Sequence, residues 1–257
     1  MSDTPETPAA SSVKSEPLLS KSNLTLAVAT GAFVLALAPY VLPNIQGLIV
    51  RGGILSRPEA LMEGSRALQA KQDAEFKQSV ETAIKANEGA LVAADDPVMG
   101  NPKASITIVE FQDYLCGYCK VAAPQIEAFL KENPDVRVVV KEYPVIRPDQ
   151  SRFLAALALA ARDTGHYEAV HHALYASDLK TDADVDQALI SAGVNPAEIR
   201  AKAQTPAVQA KIDETLKLGQ SLGIQATPNF IIGGVLINGA DLNQVKTLVA
   251  AERTKLK

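Results

Sequence analysis

Residues 91–257 read as an α/β domain: two β-branched runs around a helix at its start, a strand hairpin and helix at its end, and a helical block between. Three observations carry that reading. SITIVEF (105–111) and VRVVVKE (136–142) are short, apolar and rich in Val and Ile, as buried strands are. The stretch from Cys116 to Glu132 has helical length, with a bend expected at Pro124, and a strand–helix–strand run implies a right-handed unit with parallel strands. NFIIG (229–233) and VLING (235–239) flank Gly233-Gly234, a tight-hairpin signal. The first strand is expected in the middle of the sheet.

Taken in chain order, residues 1–23 are rich in Pro, Ser and Thr and read as a disordered cytoplasmic tail. Residues 24–42 (LTLAVATGAFVLALAPYVL) carry no charge over nineteen positions. As a helix they would span roughly 28 Å, close to the ~30 Å hydrocarbon core. They are expected to be a transmembrane anchor; the alternative is a signal peptide cleaved after Ala36-Leu37-Ala38. Lys14 and Lys21 before the span are balanced by Arg51, Arg57 and Arg66 after it, so charge does not orient it.

Residues 43–90 read as a connector followed by one long helix from Pro58 to Asn87, with Ser56 as its N-cap and Asn87-Glu88-Gly89 as its stop. Leu61, Leu68, Phe76, Val80 and Ile84 lie near one face of it. So thin a stripe cannot hold a lone helix, which must pack on its own domain or on copies of itself. Self-association through residues 58–87 into a homo-oligomer is the expectation.

Within the domain, the helical insertion covers about 148–222, with candidates at Ser151–Thr164, His166–Ala176, Asp182–Ala192 and Pro206–Leu222. Asp241 is placed to cap a last helix ending near Lys255. Lys141-Glu142 reads as a surface ion pair, and His166, His171 and His172 as surface residues of the insertion. Tyr114, Leu115, Tyr118 and Phe230 suit either an apolar client-binding surface or, for Tyr114 and Phe230, the core.

The chain holds two cysteines, both in EFQDYLCGYCK (110–120). That excludes a Cys₄ zinc site within one chain and a disulfide-stapled scaffold. A formal net charge of −4 gives no electrostatic reason to expect nucleic acid as a partner. Cys116 falls in the first turn of a helix, following the C-terminal end of the central strand, where open α/β sheets place ligands. Free backbone N–H groups and the helix dipole favour its thiolate there. Gly117 leaves its sulfur open, and Cys119, one turn on and deeper, is suited to resolve a mixed disulfide.

The strand-then-CxxC arrangement resembles the thioredoxin fold. The helical insertion carrying HYEAVHHALY (166–175) is similar to the DsbA-type disulfide oxidoreductases, and GIQATPNFIIGG (223–234) resembles the loop of that family whose proline follows a cis bond. ILSRPEALMEGSRALQ (54–69) resembles the N-terminal helix of the ScsC-like, oligomer-forming members. The resemblance implies a thiol–disulfide oxidoreductase or isomerase, with Cys116 attacking and Cys119 resolving as a redox-active disulfide. It implies that Thr227 and Pro228, with Tyr118, line the groove for cysteine-containing client proteins. Glu110, six residues before Cys116, matches a buried acid of that family that assists proton transfer. Gly117-Tyr118 replaces the Pro-His of DsbA, so a less oxidising centre is expected.

No cofactor or structural metal is expected. Cys116, Cys119 and two of the three histidines would make a Cys₂His₂ set, but adjacent His171 and His172 face different sides of a helix. Copper(I) capture by the dithiol and a membrane-tethered chaperone are the alternatives. Disulfide chemistry on clients belongs in an oxidising space. The catalytic domain is therefore expected in the bacterial periplasm, anchored in the inner membrane, with a membrane or periplasmic redox partner.

Overall fold

A computed structural model describes residues 51–53 and 55–257, with the isolated positions Thr30 and Phe33. The tail at 1–23, the apolar span at 24–42 save those two positions, and most of the connector lie outside the described residues. Among the described residues no helix is long and apolar enough to cross a membrane. The chain divides into two units, residues 1–71 and 72–257; the sheet belongs to the second.

Both β-branched runs form strands. β2 (Ile106–Gln112) and β3 (Val136–Glu142) pair in parallel, with Ile106 opposite Val136 and Gln112 opposite Glu142. β4 (Asn229–Ile232) runs antiparallel to β2, placing Phe230 opposite Glu110. β5 (Val235–Asn238) completes the hairpin through Gly233 and Gly234, whose φ of +55° and +82° only glycine adopts cheaply. β1 (Val98–Gly100), three residues with no alternating pattern to reveal it, adds an antiparallel edge to β3. The order is β1-β3-β2-β4-β5, so the first expected strand is central.

The long helix α1 (Pro58–Ala86) and the short α2 (Glu88–Leu91) precede the sheet. α3 (Gly117–Glu132) joins β2 to β3 and runs through Pro124 as one helix. α4 (Pro148–Arg162), α5 (Tyr167–Ala176), α6 (Asp182–Ser191), α7 (Pro196–Ala203) and α8 (Pro206–Ser221) form the insertion, and α9 (Leu242–Lys255) ends the chain with Asp241 accepting from the Gln244 N–H. α7 was not expected, although Asn195-Pro196 carries its start signal.

Alternation along the strands builds two cores. Ile106, Ile108, Val138 and Val140 face one side with both cysteines, α3 and the insertion. Val109, Phe111, Val139 and Ile231 face the other, against Val80 and Ile84 of α1 and Leu218 and Leu222 of α8. The apolar stripe of α1 therefore splits: Val80 and Ile84 are buried in their own domain, while Leu61, Leu68 and Phe76 are 51–62% exposed.

Lys141-Glu142 is not a surface pair. Both are 2% exposed, and because neighbouring strand residues face opposite ways, each has separate partners. Lys141 pairs with Asp96 and donates to the Ala90 carbonyl at 2.7 Å, tying the segment after α1 to the sheet. Glu142 faces the core that contains the cysteines.

Gly219 of α8 lies so close to Tyr143 that a Cβ there would clash with the ring edge at Cε2. Tyr143 is itself fixed, its hydroxyl donating to the Ile224 carbonyl at 2.7 Å. In an open helix Gly→Ala gains ~1 kcal/mol. Here Gly219→Ala is expected to lose roughly 1–3 kcal/mol through overpacking, read as a lower urea midpoint at unchanged slope. An unchanged or raised midpoint would contradict the packing.

Candidate functional site

Three chain segments meet at Cys116. It is the N-cap of α3, extended at φ −81° and ψ 118°, with its N–H donating to the Asp113 carbonyl at 3.0 Å. The turn that delivers it is clamped by Asp113, which sequence reasoning did not single out. One Asp113 oxygen accepts from the Leu115 N–H at 2.9 Å; the other accepts from Val145 and Ile146, both at 2.9 Å. One buried carboxylate thus joins the ends of β2 and β3. The third segment is the loop before β4, where the Thr227-Pro228 bond is cis and the Thr227 carbonyl accepts from the Cys116 thiol at 3.1 Å.

Both cysteines are free thiols, 5% exposed at 116 and 1% at 119. Their environments push them apart. The Cys119 thiol, the Thr227 side chain and the backbone N–H groups of Cys119 and Tyr118 hold the Cys116 thiol down at about 5, although burial opposes them. Burial and the bond to Cys116 push the Cys119 thiol far above the ordinary range. With both sulfurs as thiols the buried Thr227 hydroxyl has no hydrogen-bond partner among the described residues, so its pull on Cys116 is that of a donor free to turn to the sulfur once it ionises. The pair can carry a nucleophilic thiolate and a protonated resolving thiol together.

Tyr118 stands 73% exposed between the cysteines, and the space beside Gly117 is open. Pro228 is buried, at a groove of about 390 Å³ also walled by Phe76 of α1 and Asn229. Tyr114 and Phe230 belong to the core rather than to a client surface.

Glu110 is 4% exposed, on the sheet face it shares with Ile106, Ile108 and Gln112. Burial alone raises its carboxyl to about 8, so it holds its proton at neutral pH. Nearby lies a second buried acid that the sequence did not reveal. Glu142 accepts from Gln112 at 2.6 Å, Tyr114 at 2.9 Å and Tyr167 at 2.6 Å. Burial lifts it to about 8 against the pull of the two tyrosines, with Asp113 and Glu110 adding to the rise. Tyr114 also meets His171 Nδ1 at 3.0 Å, and Tyr175 donates to Gln112.

His171 is thus no surface residue: it is 2% exposed, and burial holds its imidazole down at about 3, neutral. The signal for it was available, since Tyr167, His171 and Tyr175 recur every four residues and so share one helix face. His166 and His172 are exposed as expected, the latter beside Glu127 at 3.1 Å. Among the described residues no group of three or more His, Cys, Asp or Glu side chains is arranged to hold a metal.

Residues 107–249, more than half of the chain, match the family model of the DSBA-like thioredoxin domain. The chain belongs to the DsbA-like thioredoxin family. This DsbA-like protein is 26% identical to disulfide bond formation protein D of Bacillus subtilis over 171 residues, 61% of this chain and 76% of that one. Among solved structures it is similar to a thioredoxin-like oxidoreductase from Silicibacter pomeroyi DSS-3, with 33% identity, a TM-score of 0.62, and coverage of 65% and 98%. It is likewise similar to Proteus mirabilis ScsC in a transitional conformation, with 29% identity, a TM-score of 0.62, and coverage of 89% and 99%. The DsbA-like chain is a thiol–disulfide oxidoreductase.

The separated thiols have a direct readout. Alkylation of the reduced protein at Cys116 is expected to rise tenfold per pH unit and level off near pH 5, against ~8.5 for free cysteine. The folded thiol ionises below the unfolded one. Its contribution to reduced-state stability is therefore full above ~8.5 and is lost as pH falls through about 5. Levelling near 8.5 would remove the acidified thiol from the account.

Proposed function

We propose that the chain is a membrane-anchored oxidoreductase that makes or reshuffles disulfides in extracytoplasmic proteins, with Cys116 as attacking sulfur and Cys119 as resolving sulfur. The observation that carries this reading is the Cys116 sulfur itself, capping α3 and lying 3.1 Å from the Thr227 carbonyl of the cis-proline loop. In the oxidised form a client thiolate attacks Cys116 Sγ, breaking the Cys116–Cys119 bond. Cys119 leaves with the electron pair and takes up a proton. A second client thiolate then attacks the client sulfur of the mixed disulfide and expels Cys116 as the thiolate. The client loses two electrons, which remain on the cysteine pair until a redox partner removes them; the reverse sequence reduces a client.

Three features support the finer roles. Cys119, nearly without exposure, needs a proton donor inside the protein, and Glu110 is buried, protonated at neutral pH and on the same sheet face. Tyr118 is exposed at the rim, and the Thr227 backbone lies where an extended client segment would run past the sulfur. The uncharged stretch at 24–42 is the proposed anchor, which would leave the domain in the periplasm.

Cys119→Ala is expected to accumulate mixed disulfides between Cys116 and foreign chains in cells, seen as thiol-sensitive bands on non-reducing gels and absent from Cys116→Ala/Cys119→Ala. No such bands would sink the reading. Glu110→Gln in the parent chain is expected to slow turnover at neutral pH by at least about tenfold, the low side of what a positioned acid–base group supplies.

The exposed Leu61 and Leu68 of α1 support assembly through that helix, which would bring several sites together as reshuffling requires. Leu61→Glu with Leu68→Glu spares the docked Val80 and Ile84. It is expected to lower the mass measured by light scattering to that of the monomer and to abolish repair of scrambled disulfides while dithiol oxidation persists. An unchanged mass would show that α1 is not the assembly device.

A further inference from the structure

A second groove, of about 400 Å³ and sharing no residue with the one at Pro228, opens beside Cys116. Its walls come from the first turns of α3, the start of α4 and residues 177–180 between α5 and α6. At that last wall Leu179 adopts φ +51°, unusual for a leucine; its side chain is buried while Asp178 and Lys180 beside it are exposed.

The groove is basic. Lys120, Arg147 and Lys180 line it against one carboxylate, Asp178. Lys180 is paired with Asp178 at 2.8 Å, which leaves Lys120 and Arg147 in excess. The Lys120 ammonium donates to the Ser177 carbonyl at 2.9 Å, an uncharged partner, and the exposed Arg147 guanidinium meets Gln150 Oε1 at 3.3 Å. Neither has a carboxylate within ion-pair distance among the described residues. Two uncompensated cations therefore flank the reacting sulfur of a chain whose formal net charge is −4.

We propose that this groove selects acidic clients by taking up carboxylate side chains that flank the client's reacting cysteine. The inference rests on Cys116 being the attacking sulfur. In the mixed disulfide the client cysteine is bonded to Cys116, so what enters an adjacent groove lies within about two or three residues of it, at ~3.3 Å per extended residue. The cations then meet the client where the covalent bond has already fixed its position, and a carboxylate placed there is held by charge-assisted contacts.

The test uses the reduced full chain and peptides whose single cysteine is capped as a mixed disulfide with thionitrobenzoate. Attack by the Cys116 thiolate forms the protein–peptide disulfide and releases the coloured thionitrobenzoate anion. Flanking the cysteine with Glu rather than Gln is expected to raise the second-order rate about three- to fivefold at low salt, and flanking Lys to lower it. The spread should close above ~0.15 M ionic strength. Lys120→Gln with Arg147→Gln should bring the Glu-to-Gln ratio towards one. Lys246→Gln, which removes one charge from the exposed face of α9, should leave the ratio as it was. Equal rates for Glu and Gln peptides, or a preference that survives the double variant, would overturn the proposal. Failure of every peptide to release thionitrobenzoate would instead strike at the proposed function itself.

Discussion

A sulfur anion in a site only 5% exposed to water must find its solvation within the protein, and the architecture around Cys116 supplies it. The Cys119 thiol, the free N–H groups opening α3 and the Thr227 side chain converge on one atom. Each comes from a different constraint. The N–H groups are there because α3 starts at Gly117, the thiol because Cys119 lies one turn further on, and Thr227 because β4 pairs beside β2. Moving any of the three would return Cys116 towards an ordinary thiol. Stabilising the anion also stabilises the reduced pair, so the same contacts that make the sulfur reactive make its disulfide a better oxidant.

Holding that arrangement demands a stiff floor, and polar groups build it. Asp113 fixes the ends of β2 and β3 to each other through backbone N–H groups. Behind it Glu142 gathers Gln112, Tyr114 and Tyr167, and Tyr175 closes on Gln112, all buried. A network of this kind tolerates no loose member, since every unpaired group inside it costs its full desolvation. It also places two raised carboxyls, Glu110 and Glu142, on one sheet face; burial raises both, and Glu110 adds to the rise at Glu142. On the far side of the sheet Lys141 and Asp96 anchor the segment after α1.

What the sequence disclosed follows from where each signal resides. β2, β3 and the β4–β5 hairpin were legible because β-branched runs and the glycine pair act locally. The cysteines and the Thr-Pro loop were legible because their residue types are rare and their chemistry is specific. β1, with three residues, and α7, with eight, are too short to carry a period. Lys141, Glu142 and His171 read as surface residues in the sequence for one reason: charged and polar side chains are mostly exposed, and nothing local marks the exceptions. Their burial depends on partners distant in sequence, such as Asp96 for Lys141 and Tyr114 for both Glu142 and His171. Asp113 escaped notice because its three acceptor contacts are to backbone, which leaves no trace in side-chain pattern. The basic groove escaped it too, since Lys120, Arg147 and Lys180 meet only once the insertion has folded back on α3.

At neutral pH Cys116 is ionised while Cys119 keeps its proton. The most direct measurement is the midpoint potential of the pair in glutathione buffers at closely spaced pH values from 6 to 7.5. If reduction takes up two electrons and one proton, the potential falls by ~30 mV per pH unit. A slope of ~59 mV per pH unit would mean that both sulfurs are protonated on reduction, and the account of Cys116 as a stabilised thiolate would be contradicted.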